Sequence, residues 1–186
     1  MSTAGKIDVT DIPIDKLVRA AYALSRPQGL GFIHARDDGL DDETLRSILK
    51  SGEGDGWCAA STDYVHGRAV KFNVRRIDGR LYIDNQWFDH TTGQLKRLLE
   101  EVGLSPDLVD KARIEEAAYR ERVKSAAVAY IRGHGGSIRQ NRGLQHPVKP
   151  GEELPPEVAD GLCPALVDKL VTAQYGDDGY TTWKLV

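Results

Sequence analysis

Val70-Lys71-Phe72-Asn73-Val74-Arg75-Arg76-Ile77-Asp78-Gly79-Arg80-Leu81-Tyr82-Ile83-Asp84 reads as two strands joined by a tight turn. Val70, Phe72 and Val74 alternate with Lys71, Asn73 and Arg75, which puts the apolar side chains on one face and the polar ones on the other. A period of two is the pattern of a strand buried on one side. Asp78-Gly79 supplies the pair of residues that tolerates positive φ in a two-residue hairpin turn, and Leu81-Tyr82-Ile83 begins the return strand. Upstream, Trp57 and then Tyr64-Val65 with a turn at His66-Gly67 extend the same meander. Downstream it closes on Trp87-Phe88-Asp89-His90.

Helical periodicity flanks this sheet. Asp11 and Pro13 precede Ile14, Leu17, Val18, Ala21 and Leu24 on one helical face, and Pro27 and Gly29 stop the pattern. Leu30 to His34 is a short strand candidate, and a second helix is predicted from about Asp41 to Lys50, capped by Asp41 or Asp42. After His90, Thr91 or Thr92 can cap a helix that buries Leu95, Leu98, Leu99 and Val102 and ends at Gly103. Ser105-Pro106-Asp107 starts the next one, with helical propensity from Leu108 to Arg132 and a stop at Gly133. The expected class is α+β: a small antiparallel β-meander with flanking helices.

The last third has a different order. A helix from about Tyr119 to Arg132 leads to Ser137-Ile138-Arg139 as a short strand. Pro155-Pro156 and Cys163-Pro164 each start a short helix, with Gly161 weakening the first. Val171 to Tyr175 and Tyr180 to Lys184 then flank Gly176-Asp177-Asp178-Gly179 as a hairpin. Helix, strand, two short helices and a hairpin resemble the winged helix-turn-helix arrangement, in topology and without a residue motif. The expected division is a loose N-terminal stretch to residue 11, a sheet domain over 12–104, and a helical linker with a winged-helix-like domain over 105–186.

A formal net charge of −3 argues against a whole-molecule grip on nucleic acid, but the charge is regional. Asp37, Asp38, Asp41, Asp42 and Glu43 crowd the first third, whereas bases dominate from Lys111 to Pro150, so an anionic partner is expected at the second half. Cys58 and Cys163 match no metal or redox spacing, and no cofactor motif is present. No apolar run approaches the roughly 20 residues that span a bilayer. Met1 to Thr10 has no apolar core of a secretion signal, so a cytoplasmic chain with no membrane partner is expected.

Candidate chemistry falls into three groups. His34, His66 and His90, with Arg36 and Arg68, offer imidazoles for proton transfer and guanidiniums for a phosphate. The simpler reading makes His66 a turn residue, His34 a strand end and Asp89 a helix cap; no nucleophile or zinc spacing accompanies the histidines, so no metal is assigned. Lys71 and Arg75 with Tyr82 form the polar sheet face, which could stack a base or be merely solvated. Arg132-Gly133-His134-Gly135-Gly136 through Arg139 and Arg142 could wrap an anion with main-chain amides and arginines, although Gly133 is equally a helix C-cap. A DNA-reading wing would want bases, yet its tip is Asp177-Asp178.

The expected function is a non-enzymatic binding protein engaging an anionic ligand (nucleotide or nucleic acid) or a protein partner. An enzyme using the His/Arg group on a phosphate-bearing substrate is the alternative. A structural or inhibitory protein acting through surface shape is the third reading.

Overall fold

The computed structural model describes residues 2–25, 42–52, 57–59, 71–84, 89–141, 148 and 153–186. The chain is α+β and divides into two compact units, Met1–Glu116 and Ala117–Val186.

In the first unit, β1 (Lys6–Asp8), β2 (Trp57–Ala59), β3 (Lys71–Ile77) and β4 (Arg80–Asp84) form an antiparallel sheet in the order β1-β4-β3-β2. The β3–β4 register pairs Ile77 with Arg80 across Asp78-Gly79, whose φ values of 50° and 79° are those the two-residue turn requires. Phe72, Val74, Leu81 and Ile83 are buried on one face. They pack with Leu17, Val18 and Ala21 of α1 (Ile14–Ser25), Leu45 and Leu49 of α2 (Asp42–Ser51), and Leu95, Leu98 and Leu99 of α3 (Asp89–Val102). Arg76 breaks the alternation for a local reason. Its guanidinium donates to the Lys50 and Leu49 carbonyls at 3.1 and 3.5 Å, capping the C-terminus of α2, where a cation is favoured.

Two boundaries differ from the sequence expectation. The first ten residues, expected to be loose, contain β1, because Ile7 and Val9 extend the buried face at the β4 edge. Their signal is only three residues long, too short for a periodicity to register. Helix α3 begins at Asp89, two residues before the predicted threonine caps, and ends as expected: Leu104 N–H donates to the Leu99 carbonyl at 2.8 Å and Gly103 has φ +84°. The predicted strand at Leu30 to His34 and turn at His66-Gly67 lie outside the described residues, as do Trp87 and Phe88.

The unit boundary falls within α4 (Asp107–Gly133). The second unit continues with β5 (Ser137–Asn141), α5 (Pro156–Val167), β6 (Val171–Tyr175) and β7 (Tyr180–Leu185). Its sheet is antiparallel in the order β5-β7-β6. Ala127 and Ile131 of α4, Val158, Leu162 and Ala165 of α5, and Ile138, Val171 and Trp183 of the sheet make its core. Where the sequence predicts two short helices, the structure has one, continuous through Gly161 and Pro164. Pro164 supplies no N–H to the Asp160 carbonyl, but burial of Leu162 and Ala165 on either side holds the helix together.

Candidate functional site

Two polar surfaces can be built from described residues. On the first unit, the face of the sheet opposite the core carries two cross-strand rows. Lys6, Asp84 and Asn73 form one, and Asp8, Tyr82 and Arg75 the other. All six are partly exposed. Asn73 Nδ2 donates to Asp84 Oδ1 at 2.6 Å. Asp8 is held by the Thr10 hydroxyl at 2.6 Å, the Thr10 amide at 3.0 Å and Arg80 Nε at 2.6 Å. Burial pushes the Asp8 carboxyl up, but Thr10 and then Arg80 outweigh it and hold the group below its ordinary value.

A carboxyl lowered by folding stabilises the fold above its ordinary range and loses that contribution as pH falls through the lowered value. The Asp8 midpoint, followed by NMR, is therefore expected below 3.8. Thr10→Val should move it up further than Arg80→Ala does, because the exposed Arg80 charge is screened by solvent. A midpoint at or above the ordinary value in the parent protein would contradict this.

On the second unit, the glycine-rich turn after α4 has its amides already engaged. His134 N–H donates to the Tyr130 and Ile131 carbonyls at 3.2 and 3.1 Å, Gly135 N–H to Arg132 at 3.2 Å and Gly136 N–H to Ile131 at 2.9 Å. These amides satisfy the last carbonyls of α4, so the turn is a helix stop at the negative end of the helix dipole. The His134 ring stacks on Tyr130 at 4.1 Å between centroids, with Nδ1 2.8 Å from the Tyr130 carbonyl. Arg132 is exposed at the same helix end.

Arg139 points toward the hairpin. Its Nη2 lies 2.5 Å from Asp178 Oδ2, and its guanidinium lies over the Tyr180 ring at 4.6 Å. Other cations of this unit are matched in the same way. Lys124 reaches Asp168 at 2.5 Å and Glu121 at 2.6 Å, Asp168 first among the causes that raise its pKa. Arg122 lies 3.6 Å from Glu157.

His34, His66, Arg36, Arg68 and Arg142 lie outside the described residues, as do the side chains of His90 and Lys71, whose backbones belong to α3 and β3. Arg75 and Tyr82 are brought together as a directly opposed pair, and Lys6 and Asp8 join their face from β1. The Arg139–Asp178 pair went unseen in the sequence, because the β5–β7–β6 order and register that create it join segments remote along the chain. Among the described residues, no three His, Cys, Asp or Glu side chains converge as a metal site requires, and no helix is long and apolar enough to cross a membrane.

No family model matches the chain, and no curated protein or solved structure matches it either. Its chemistry must therefore be read from its own surfaces. The sheet face of the first unit mixes signs within each row, and the second unit sets Arg122 and Arg139 against its own carboxylates.

Proposed function

We propose that this chain is a non-enzymatic binding protein whose second unit is a winged-helix-like module docking a protein partner in preference to duplex DNA. The order α4, β5, α5 and a β6–β7 hairpin, with β5 beside β7, supports the winged-helix comparison. One helix stands where that arrangement has two, which is its main departure. The observation that carries the choice of partner is the pairing of Arg139 with Asp178 at 2.5 Å. Arg139 is neutralised there, and Asp177 adds a second acid to the hairpin tip. Helix α5, in the place of a reading helix, carries Glu157 and Asp160 and no Lys or Arg. Phosphates would meet carboxylates at both contacts a DNA reader uses.

Anion binding by the second unit is the remaining nucleic-acid route, through Arg132 and the sequence-nominated Arg142. The enzyme reading depends on residues outside the described part and gains no support from the geometry.

Titrating duplex DNA, RNA and nucleotides against the full chain at rising salt tests the proposal. Duplex affinity should be weak and indifferent to sequence. Engagement of about two phosphates would give about a tenfold loss for a fourfold rise in salt. Tight, sequence-selective duplex binding at physiological salt would overturn it. Anion binding that the Arg132→Ala, Arg142→Ala double variant abolishes would replace the protein partner by a nucleotide or RNA ligand.

A further inference from the structure

The face of the second sheet opposite Trp183 carries exposed Thr172, Gln174, Lys184 and Arg139. Ile138, Val171 and Trp183 point into the core, so the alternation sets Thr172, Lys184 and Ser137 in one row on this outer face. Val186 N–H donates to the Leu170 carbonyl at 3.1 Å, which carries the β6–β7 ladder one pair further and puts Leu170 and Val186 next to that row. The chain arrives there from α5 through a fixed turn. Lys169 N–H donates to the Leu166 carbonyl at 3.0 Å and Leu170 N–H to that of Ala165 at 2.9 Å, which holds Val167, the last residue of α5, close to Leu170. Leu170 is 42% exposed, Val167 70% and Val186 83%. Half of the six large apolar side chains exposed among the described residues thus gather at one end of one sheet, which marks a surface rather than scatter.

We propose that this end of the second unit docks a segment of a partner protein in which large apolar side chains stand between carboxylates. The inference rests on the protein-docking reading above and locates its surface. Charge selects the occupant. The three strands carry two charged residues, Arg139 and Lys184, and both are basic. Asp178 matches Arg139, whereas Lys184 and Lys169 have no carboxylate partner among the described residues. The adjoining acid, Asp168, is held by Lys124 at 2.5 Å. An apolar patch flanked by two open ammoniums draws carboxylates to its rim and offers its centre to leucine-sized side chains. A nucleic-acid backbone has nothing to set against Val167, Leu170 and Val186. The turn and the ladder are already formed, so this side of the contact needs little ordering.

Fluorescence anisotropy of a labelled peptide with two leucines between pairs of glutamates, titrated with the full chain, tests this. The peptide should bind, and more weakly as salt rises, while its counterpart with lysines in place of the glutamates should not bind. Lys184→Glu should weaken binding at least tenfold, and so should Val167→Ser, both at exposed positions. Amides of β6 and β7 should exchange at parental rates in both variants, which separates lost docking from lost fold. No peptide binding, or binding indifferent to both variants, would overturn this surface and leave the protein-docking reading standing. Tighter binding of phosphatidylserine vesicles would overturn it in favour of a membrane contact. A concentration-dependent dimer that both variants dissolve would overturn it in favour of a second copy of this chain. Tight, sequence-selective duplex binding is the separate result that sinks the docking reading itself.

Discussion

Gly161→Ala is expected to destabilise the second unit by about 3 kcal/mol, the reverse of what the same change does on an open helix. In a solvated helix interior, alanine is favoured over glycine by about 1 kcal/mol. Here a Cβ on Gly161 would stand 1.9 Å from the Val123 carbonyl oxygen and 2.5 Å from its carbon, with Ala127 Cβ at 2.9 Å. The obstruction is the backbone of α4, which no rotamer change can relieve. A unit of about 70 residues has only about 4–10 kcal/mol of stability in total. Amides of β5, β6 and β7 should therefore exchange on the order of a hundredfold faster in the variant. Gly133→Ala, with nothing within 4 Å and no positive φ, is the control and should change stability by less than about 0.5 kcal/mol. A Gly161→Ala protein as stable as its parent would show that α4 and α5 do not touch there.

Phe72→Ala should cost the first unit about 3–5 kcal/mol. The ring is 1% exposed on β3, within the core that α1, α2 and α3 build on the sheet. Asn73→Ala, one residue along, should cost about 1 kcal/mol, because it removes the 2.6 Å bond to Asp84 on the opposite face and opens no cavity. Exchange of β3 and β4 amides measures both, and avoids treating a chain of two units as a single unfolding transition. Equal effects at the two positions would contradict the one-sided burial of the strand.

The hairpin around Asp78-Gly79 was legible because its determinants are local: a period of two on each side and a residue pair suited to positive φ. The stop of α4 at Gly133 was legible for the same reason. β1 was not, since three residues form a strand only when β4 offers them an edge. The continuity of α5 was not either. Gly161 and Pro164 are both helix-weakening by their own chemistry, and they persist inside a helix because α4 leaves space for nothing larger at Gly161 and the core holds Leu162 and Ala165.

The candidate site divides along the same line. Composition and order alone placed the arginines and glycines after α4 and the acids at the hairpin tip. Whether those amides and guanidiniums were available to a ligand depended on distances between segments remote in sequence. Arg139 and Asp178 are 39 residues apart, and only the β5–β7–β6 ladder brings them to 2.5 Å. The turn at Gly135 and Gly136 likewise looked like a donor-rich cradle until the carbonyls of α4 were seen to take its N–H groups. By itself the sequence determined the α+β class, the apolar alternation of β3 and the turn residues, because each of these follows from the conformational preferences and polarity of neighbouring residues. The tertiary structure decided which charges remain open to a partner, because an ion pair or a capped carbonyl exists only when separate segments of the chain are packed within a few ångströms.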